Sequence, residues 1–182
     1  MKRIRPSKER TWVNQPFQIQ MKPATYMQNT INDRLNALGI QLPEAPASIA
    51  NYKPAMRTGN LLFIAGQVSK TSKDEAIIGC LGQDLVLEQG IAAARLCALN
   101  ILAQAQAALG SLDLIEQVIR LNGFINATHA FTNHAKVMNG ASDLMVEVLG
   151  ENGLHTRIAV GVSSLPLGCA VEIDAVFAVK ET

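Results

Sequence analysis

The residues of this chain best suited to chemistry are charged side chains set into apolar strands. The stretch HTRIAVGVSSLPLGCAVEIDAV, His155 to Val176, reads as two strands yet carries Arg157, Glu172 and Asp174. Strand alternation puts Ile158, Val160 and Val162 on one face of the first run and Arg157, Ala159, Gly161 and Ser163 on the other. That second face is an arginine followed by small residues, which leaves space in front of the guanidinium. A guanidinium always carries its charge and presents a planar fork that matches a carboxylate. The pattern leaves two readings open: a salt bridge to Glu172 or Asp174 or an exposed edge arginine, or a clamp for an anionic ligand.

In the second run Ala170, Glu172 and Asp174 share a face, with Val171, Ile173 and Ala175 on the other. Two acids on one sheet face repel unless solvated or paired. Asp174 is therefore read as the solvated acid and Glu172 as the candidate for a polar pocket. Other chemistry finds little support. His129, His134 and His155 form no ligand pair at helical spacing and join no cysteine cluster, so no metal is expected. The glycines lack the spacing of phosphate-binding loops, and no nucleotide cofactor is expected either. Cys80, Cys97 and Cys169 read as buried small hydrophobes; an odd number without short pairing fits a reducing cytoplasm.

Several elements must position these residues. Ile31, Leu35 and Leu38 have helical spacing up to Gly39, and Pro43 and Pro46 then mark a linker. NYKPAMRTGNLLFIAGQVS reads as a hairpin turning at Thr58-Gly59-Asn60, with Leu61 to Ala65 in the middle of a sheet and a short third strand at Ala76 to Ile78. An apolar stripe from Gln83 to Leu109 predicts a long helix ended by Gly110. A strand follows with Asn122-Gly123 as a bulge, then a second helix from Phe131 to Gly150, then the two strands joined by SSLPLG. Helices and strands interleaved in this order imply an α+β fold, one mixed sheet with two helices on one face.

At 182 residues and 48% hydrophobic content the chain suits one domain. The net charge of +1 conceals a local +5 over residues 1–24, which leaves −4 for the rest. Residues 1–27 are expected to be a disordered basic extension, 28–44 a short helix and linker, and 45–182 the domain. No run in that extension is apolar enough for a signal or an anchor, and neither a membrane nor a nucleic acid is an expected partner.

Taken together, R-x-x-V-x-V-x-x-L-P-x-x-x-x-V-E-I-x-A, Arg157 through Ala175, resembles the signature of the Rid family, also called the YjgF or reactive intermediate deaminase family. NYKPAMRTGNLLFIAGQVS is similar to that family's tyrosine-bearing hairpin with its Gly-Gln end, and VMNGASDL to its asparagine-bearing second helix. The resemblance runs from about Ala45 to Ala178. It implies a chorismate-mutase-like α+β domain that forms homotrimers with ligand pockets between subunits. It also implies hydrolytic deamination of small 2-enamino or 2-imino acids, such as 2-aminoacrylate, to 2-keto acids and ammonia without a cofactor. On the same grounds Arg157 would grip the carboxylate and Glu172 would position water. Tyr52, the backbones of Gly66 and Ala159, and Asn139 would line the pocket. Ala65 stands where family members often carry serine, so a hydroxyl contact is missing. That departure keeps a rival open, a trimer that binds small carboxylates without turnover. Ribonuclease activity or translation inhibition, often attached to the family, finds no basic, stacking surface in a core of charge −4 and a chain with 4% aromatic residues.

Overall fold

The computed structural model describes residues 30–46, 51–71, 73 and 75–181. The extension expected over residues 1–27 lies outside the described residues. The first element, helix α1 (Ile31–Ala37), opens on a capping box: the Thr30 hydroxyl accepts from the Asp33 amide while the Asp33 carboxylate accepts from the Thr30 amide. Leu35 is its buried anchor.

Strands β1 (Ala55–Thr58) and β2 (Leu61–Val68) form the expected hairpin. Thr58 pairs with Leu61, so Gly59 and Asn60 make a two-residue turn, and Gly59 takes the left-handed conformation (φ +56°) that such turns favour. Ala76 to Ile78 form no strand of their own; they contribute single bridges, Lys70 to Ala76 and Ile78 to Cys169. The long helix α2 (Leu87–Leu109) starts four residues later than the apolar stripe predicts. Asp84 is spent on a turn, its carboxylate accepting from the Cys80 amide at 3.0 Å, and Gln89 caps the Val86 amide.

Strand β3 (Ile115–Asn126) is continuous through Asn122 and Gly123. Its irregularities lie earlier, between Ile115 and Gln117 and between Val118 and Arg120. Gly123 serves packing instead: a Cβ there would sit 2.2 Å from the Met138 sulfur. Helix α3 (His134–Leu149) also starts later than expected, because Thr128 to Phe131 close a turn. Strands β4 (Thr156–Val162) and β5 (Val171–Val179) complete the chain.

The sheet order is β1-β2-β5-β3-β4. Strand β5 lies antiparallel between β2 and β3, while β4 runs parallel to β3 at the outer edge. The two tail strands are therefore not a hairpin; β3 separates them. A parallel partner needs a crossover, and α3 supplies it between β3 and β4.

One face of the sheet carries the core. Leu62, Ile64, Leu121, Ile125, Ile173, Ala175 and Phe177 point into it and meet Ala94, Ala98, Ile101 and Leu102 of α2 and Met138, Leu144 and Met145 of α3. Full burial of each such large side chain is worth about 1.5–3 kcal/mol, so this face fixes where both helices lie. The helices approach closely at Gly140, where a Cβ would stand 2.1 Å from the Ile91 carbonyl oxygen. By length and apolarity α2 could cross a membrane, but here it is a core helix, packed on the sheet and α3.

Candidate functional site

Arg157 projects from β4 on the helix-covered side of the sheet and reaches α3. Its Nη1 donates to the Ser142 hydroxyl at 2.7 Å, and its Nη2 donates to Asn139 Oδ1 at 2.9 Å and to the Ala135 carbonyl at 3.2 Å. Ala135, Asn139 and Ser142 stand at i, i+4 and i+7 of the helix, one stripe facing the strand. All three partners are neutral, so the guanidinium is oriented without being neutralised. Its partners are neither Glu172 nor Asp174. Behind Ser142 the chain of contacts continues: its hydroxyl meets His155 Nε2 at 2.9 Å, and His155 Nδ1 meets the Gly153 carbonyl at 2.6 Å. Along the floor Ala159 follows on the same face as Arg157, and the His134 ring covers Gly161, where a Cβ would lie 2.5 Å from Nε2.

Glu172 lies elsewhere. It sits on the face of the sheet that carries no helix among the described residues, on β5, with Val68 and Phe124 as its cross-strand neighbours. Its carboxylate rests against the backbone of Gly66, at which a Cβ would come within 2.1 Å of Oε1. Gly66 falls where β2 slips register against β5. Buried Gln67 holds that bulge, its side-chain amide donating to the carbonyls of Ala65 at 3.1 Å and Gly66 at 3.2 Å. Partial burial pushes the Glu172 carboxyl above its ordinary pKa, and the nearby Asp174 carboxylate pushes the same way. Asp174 is half-buried rather than solvated. It accepts from Asn122 Nδ2 at 2.7 Å, and Asn122 in turn accepts from Arg120 Nε at 2.7 Å.

The structure thus gathers the expected site residues into two groups. Arg157, Asn139 and Ala159 stand together at the β4 edge. Glu172, Gly66 and Ala65 stand together on the open face around the β2–β5 seam, and Tyr52, exposed, precedes β1 at the opposite edge. Arg157 and Glu172 are two strand spacings apart, roughly 10 Å, and on opposite faces. A small 2-imino acid cannot touch both within one chain. The open face mixes that polar row, Arg120, Asn122 and Asp174, with exposed apolar side chains: Phe63, Ile158 and Val160 are 41%, 41% and 36% exposed, and Phe124 and Val176 lie beside them.

Ser142, His155 and Gln67 are the polar residues that sequence reasoning missed. Signals for two of them were available: Ser142 is three residues from Asn139 on one helix, and His155 is two residues from Arg157, just before β4. Among the described residues no three His, Cys, Asp or Glu side chains could hold a metal ion. The cysteines are free; Cys97 and Cys169 are buried, with burial pushing both thiols up, while Cys80 is only half-buried.

A five-stranded mixed sheet with two long helices on one face defines the class, a YjgF-like α+β domain. A family profile described as "YjgF/chorismate mutase-like, putative endoribonuclease" matches residues 32–178, and the chain belongs to that family. It is 47% identical over 142 residues to the protein TCP17 of Trypanosoma cruzi, covering 78% of this chain and 89% of that one. The crystal structure of protein Atu1372, of unknown function, from Agrobacterium tumefaciens superposes with a TM-score of 0.77 at 46% identity, over 82% of this chain and 92% of the other. RidA from the Antarctic bacterium Psychrobacter sp. PAMC 21119 is similar at 28% identity and a TM-score of 0.53, over 76% of this chain and 97% of the other.

Proposed function

We propose that this protein hydrolyses small 2-enamino and 2-imino acids to 2-keto acids and ammonia, in pockets formed where two copies of the chain meet. The observation that carries the reading is the Arg157 guanidinium, oriented by three neutral partners and left with its charge. A carboxylate is the ligand such a fork matches best. Glu172 supplies the complementary group, a carboxyl whose pKa is raised by burial and by Asp174 and which can serve as a proton carrier. Since the two lie on opposite faces of one sheet, the site is complete only if the β4 edge of one copy meets the open face of another. The exposed Phe63, Ile158 and Val160 fit that use, because exposed apolar side chains of this kind suit an interface.

In the proposed reaction Arg157 holds the substrate carboxylate. For an enamine, the protonated Glu172 gives its proton to C3, and the C–C double bond becomes the 2-imine. Water then adds to C2 as Glu172 removes its proton, and the proton passes to the nitrogen. The resulting carbinolamine collapses: its hydroxyl proton returns to Glu172, the C–N bond breaks with its electron pair leaving on nitrogen, ammonia departs and the 2-keto group forms. The sum is enamine plus water giving keto acid plus ammonia. Nothing in these steps calls for a redox group or a metal. Such imines also hydrolyse unaided, so orientation and one proton carrier suffice.

The test is an amino acid oxidase assay in which the protein shortens the lifetime of the released imine. Arg157→Ala should lower the effect by about a hundredfold or more, as expected for loss of a multidentate charged contact. Equal imine lifetimes with wild type and without protein would refute the proposal. One observation favours a second reading, binding without turnover: Ala65 places no hydroxyl beside Gly66 and Glu172. Tight binding of 2-oxobutanoate with no effect on imine lifetime would select it.

A further inference from the structure

We infer that Ser142 and His155 are positioning residues for Arg157, a coupled pair that fixes the orientation in which the guanidinium meets a ligand. The inference rests on the reading above that Arg157 receives a carboxylate, and it assigns work to two residues which that reading does not use.

The partners of each hydrogen bond set its direction. A backbone carbonyl can only accept, so the contact from the Gly153 oxygen to His155 Nδ1 at 2.6 Å requires the proton on Nδ1. In the neutral ring Nε2 is then a bare acceptor, and the contact at 2.9 Å is the Ser142 O–H donating to it. With its proton committed to His155, the Ser142 oxygen must turn a lone pair to its remaining partner, Arg157 Nη1 at 2.7 Å. With the imidazole neutral, the order Gly153, His155, Ser142, Arg157 has one sense and fixes a hydroxyl that would otherwise rotate. Asn139 and Ala135 hold Nη2 in the same way from the same helix. A carboxylate in place of Ser142 would also hold the arginine but would cancel its charge. A hydroxyl locked by an imidazole holds it and leaves the charge for the ligand.

Ser142→Ala removes the contact. His155→Leu removes the acceptor behind it, while His155→Gln puts an amide oxygen near the position of Nε2 and should restore it. Two measurements are made on each full-length variant: the affinity for 2-oxobutanoate by calorimetry, and the rotational exchange of the Arg157 side-chain N–H signals by NMR without ligand. Ser142→Ala and His155→Leu should each weaken affinity about tenfold, as for one hydrogen bond to a charged group. Both should also speed guanidinium rotation, and His155→Gln should stay close to wild type in both measurements. Wild-type affinity and wild-type rotation in Ser142→Ala and His155→Leu would overturn the inference, as would a His155→Gln variant no better than His155→Leu. If the wild type binds no 2-oxobutanoate while the NMR signals respond as stated, the carboxylate reading fails and the positioning role stands.

Discussion

The two faces of the sheet solve the problem of holding a charged group in opposite ways. On the helix-covered side Arg157 is tied to α3 by three hydrogen bonds from its own chain, and its geometry is complete before any ligand arrives. On the open side Glu172 is half-buried against a glycine and a neighbouring acid, near exposed apolar side chains that no described element of the chain covers. The difference teaches that one half of the proposed site is preorganised by folding, whereas the other would be completed by the second copy that the proposed function calls for.

The most disruptive test of this contrast is Phe63→Arg. Phe63 is exposed in the single chain, so the fold should tolerate the change, but a charge on the open face should disperse the assembly. Light scattering should then show the mass of one chain, 19.6 kDa, with imine turnover lost and the Arg157 contacts intact. An unchanged assembly would place the interface elsewhere.

A smaller effect is expected from Gly66→Ala. The atom nearest the new Cβ is the free end of the Glu172 side chain, so the carboxylate should swing away while the backbone stays. Turnover should fall by about tenfold or more, as for a misplaced general acid–base group. Binding of 2-oxobutanoate should change less than about twofold, since the Arg157 contacts that would supply it are untouched.

The smallest effect separates the two faces by pH. A carboxyl whose pKa is raised by folding contributes stability below the ordinary carboxylate range and loses it as pH rises through the raised value. Glu172→Gln carries no such loss. Melting curves should therefore show the variant gaining on wild type from pH 4 to pH 8, with turnover abolished. Partial exposure of Glu172 keeps this gain small. A flat difference across that range would argue against the raised pKa.

Local pattern carried part of this arrangement. Alternation alone placed Arg157 with Ala159, and Glu172 with Asp174, because the two-residue period of a strand needs no knowledge of its neighbours. The hairpin and both long helices were legible for similar reasons. Strand order was not: SSLPLG looks like a short connection between paired strands, yet β3 lies between β4 and β5. The helix starts were misplaced by Gly82, Asp84 and Thr128, turn formers whose hydrogen bonds compete with the first helical turn. Ser142 and His155 escaped notice because their contact joins α3 to the residue just before β4, a tertiary pairing that periodicity within one element does not describe.

The position of β5 has a consequence for how this protein is made. The final strand of the chain is the middle of its sheet, hydrogen-bonded to β2 on one side and β3 on the other. While residues 171–179 are still within the ribosome, β2 and β3 have no shared partner, and Leu62, Ile64, Leu121 and Ile125 lack the Ile173 and Phe177 that cover them. The nascent chain must therefore carry a hairpin, two apolar helices and an unfilled slot until residues 171–179 have been made and have emerged. Folding of this domain is a late, long-range event, and the interval before it is when chaperones would have the most to hold.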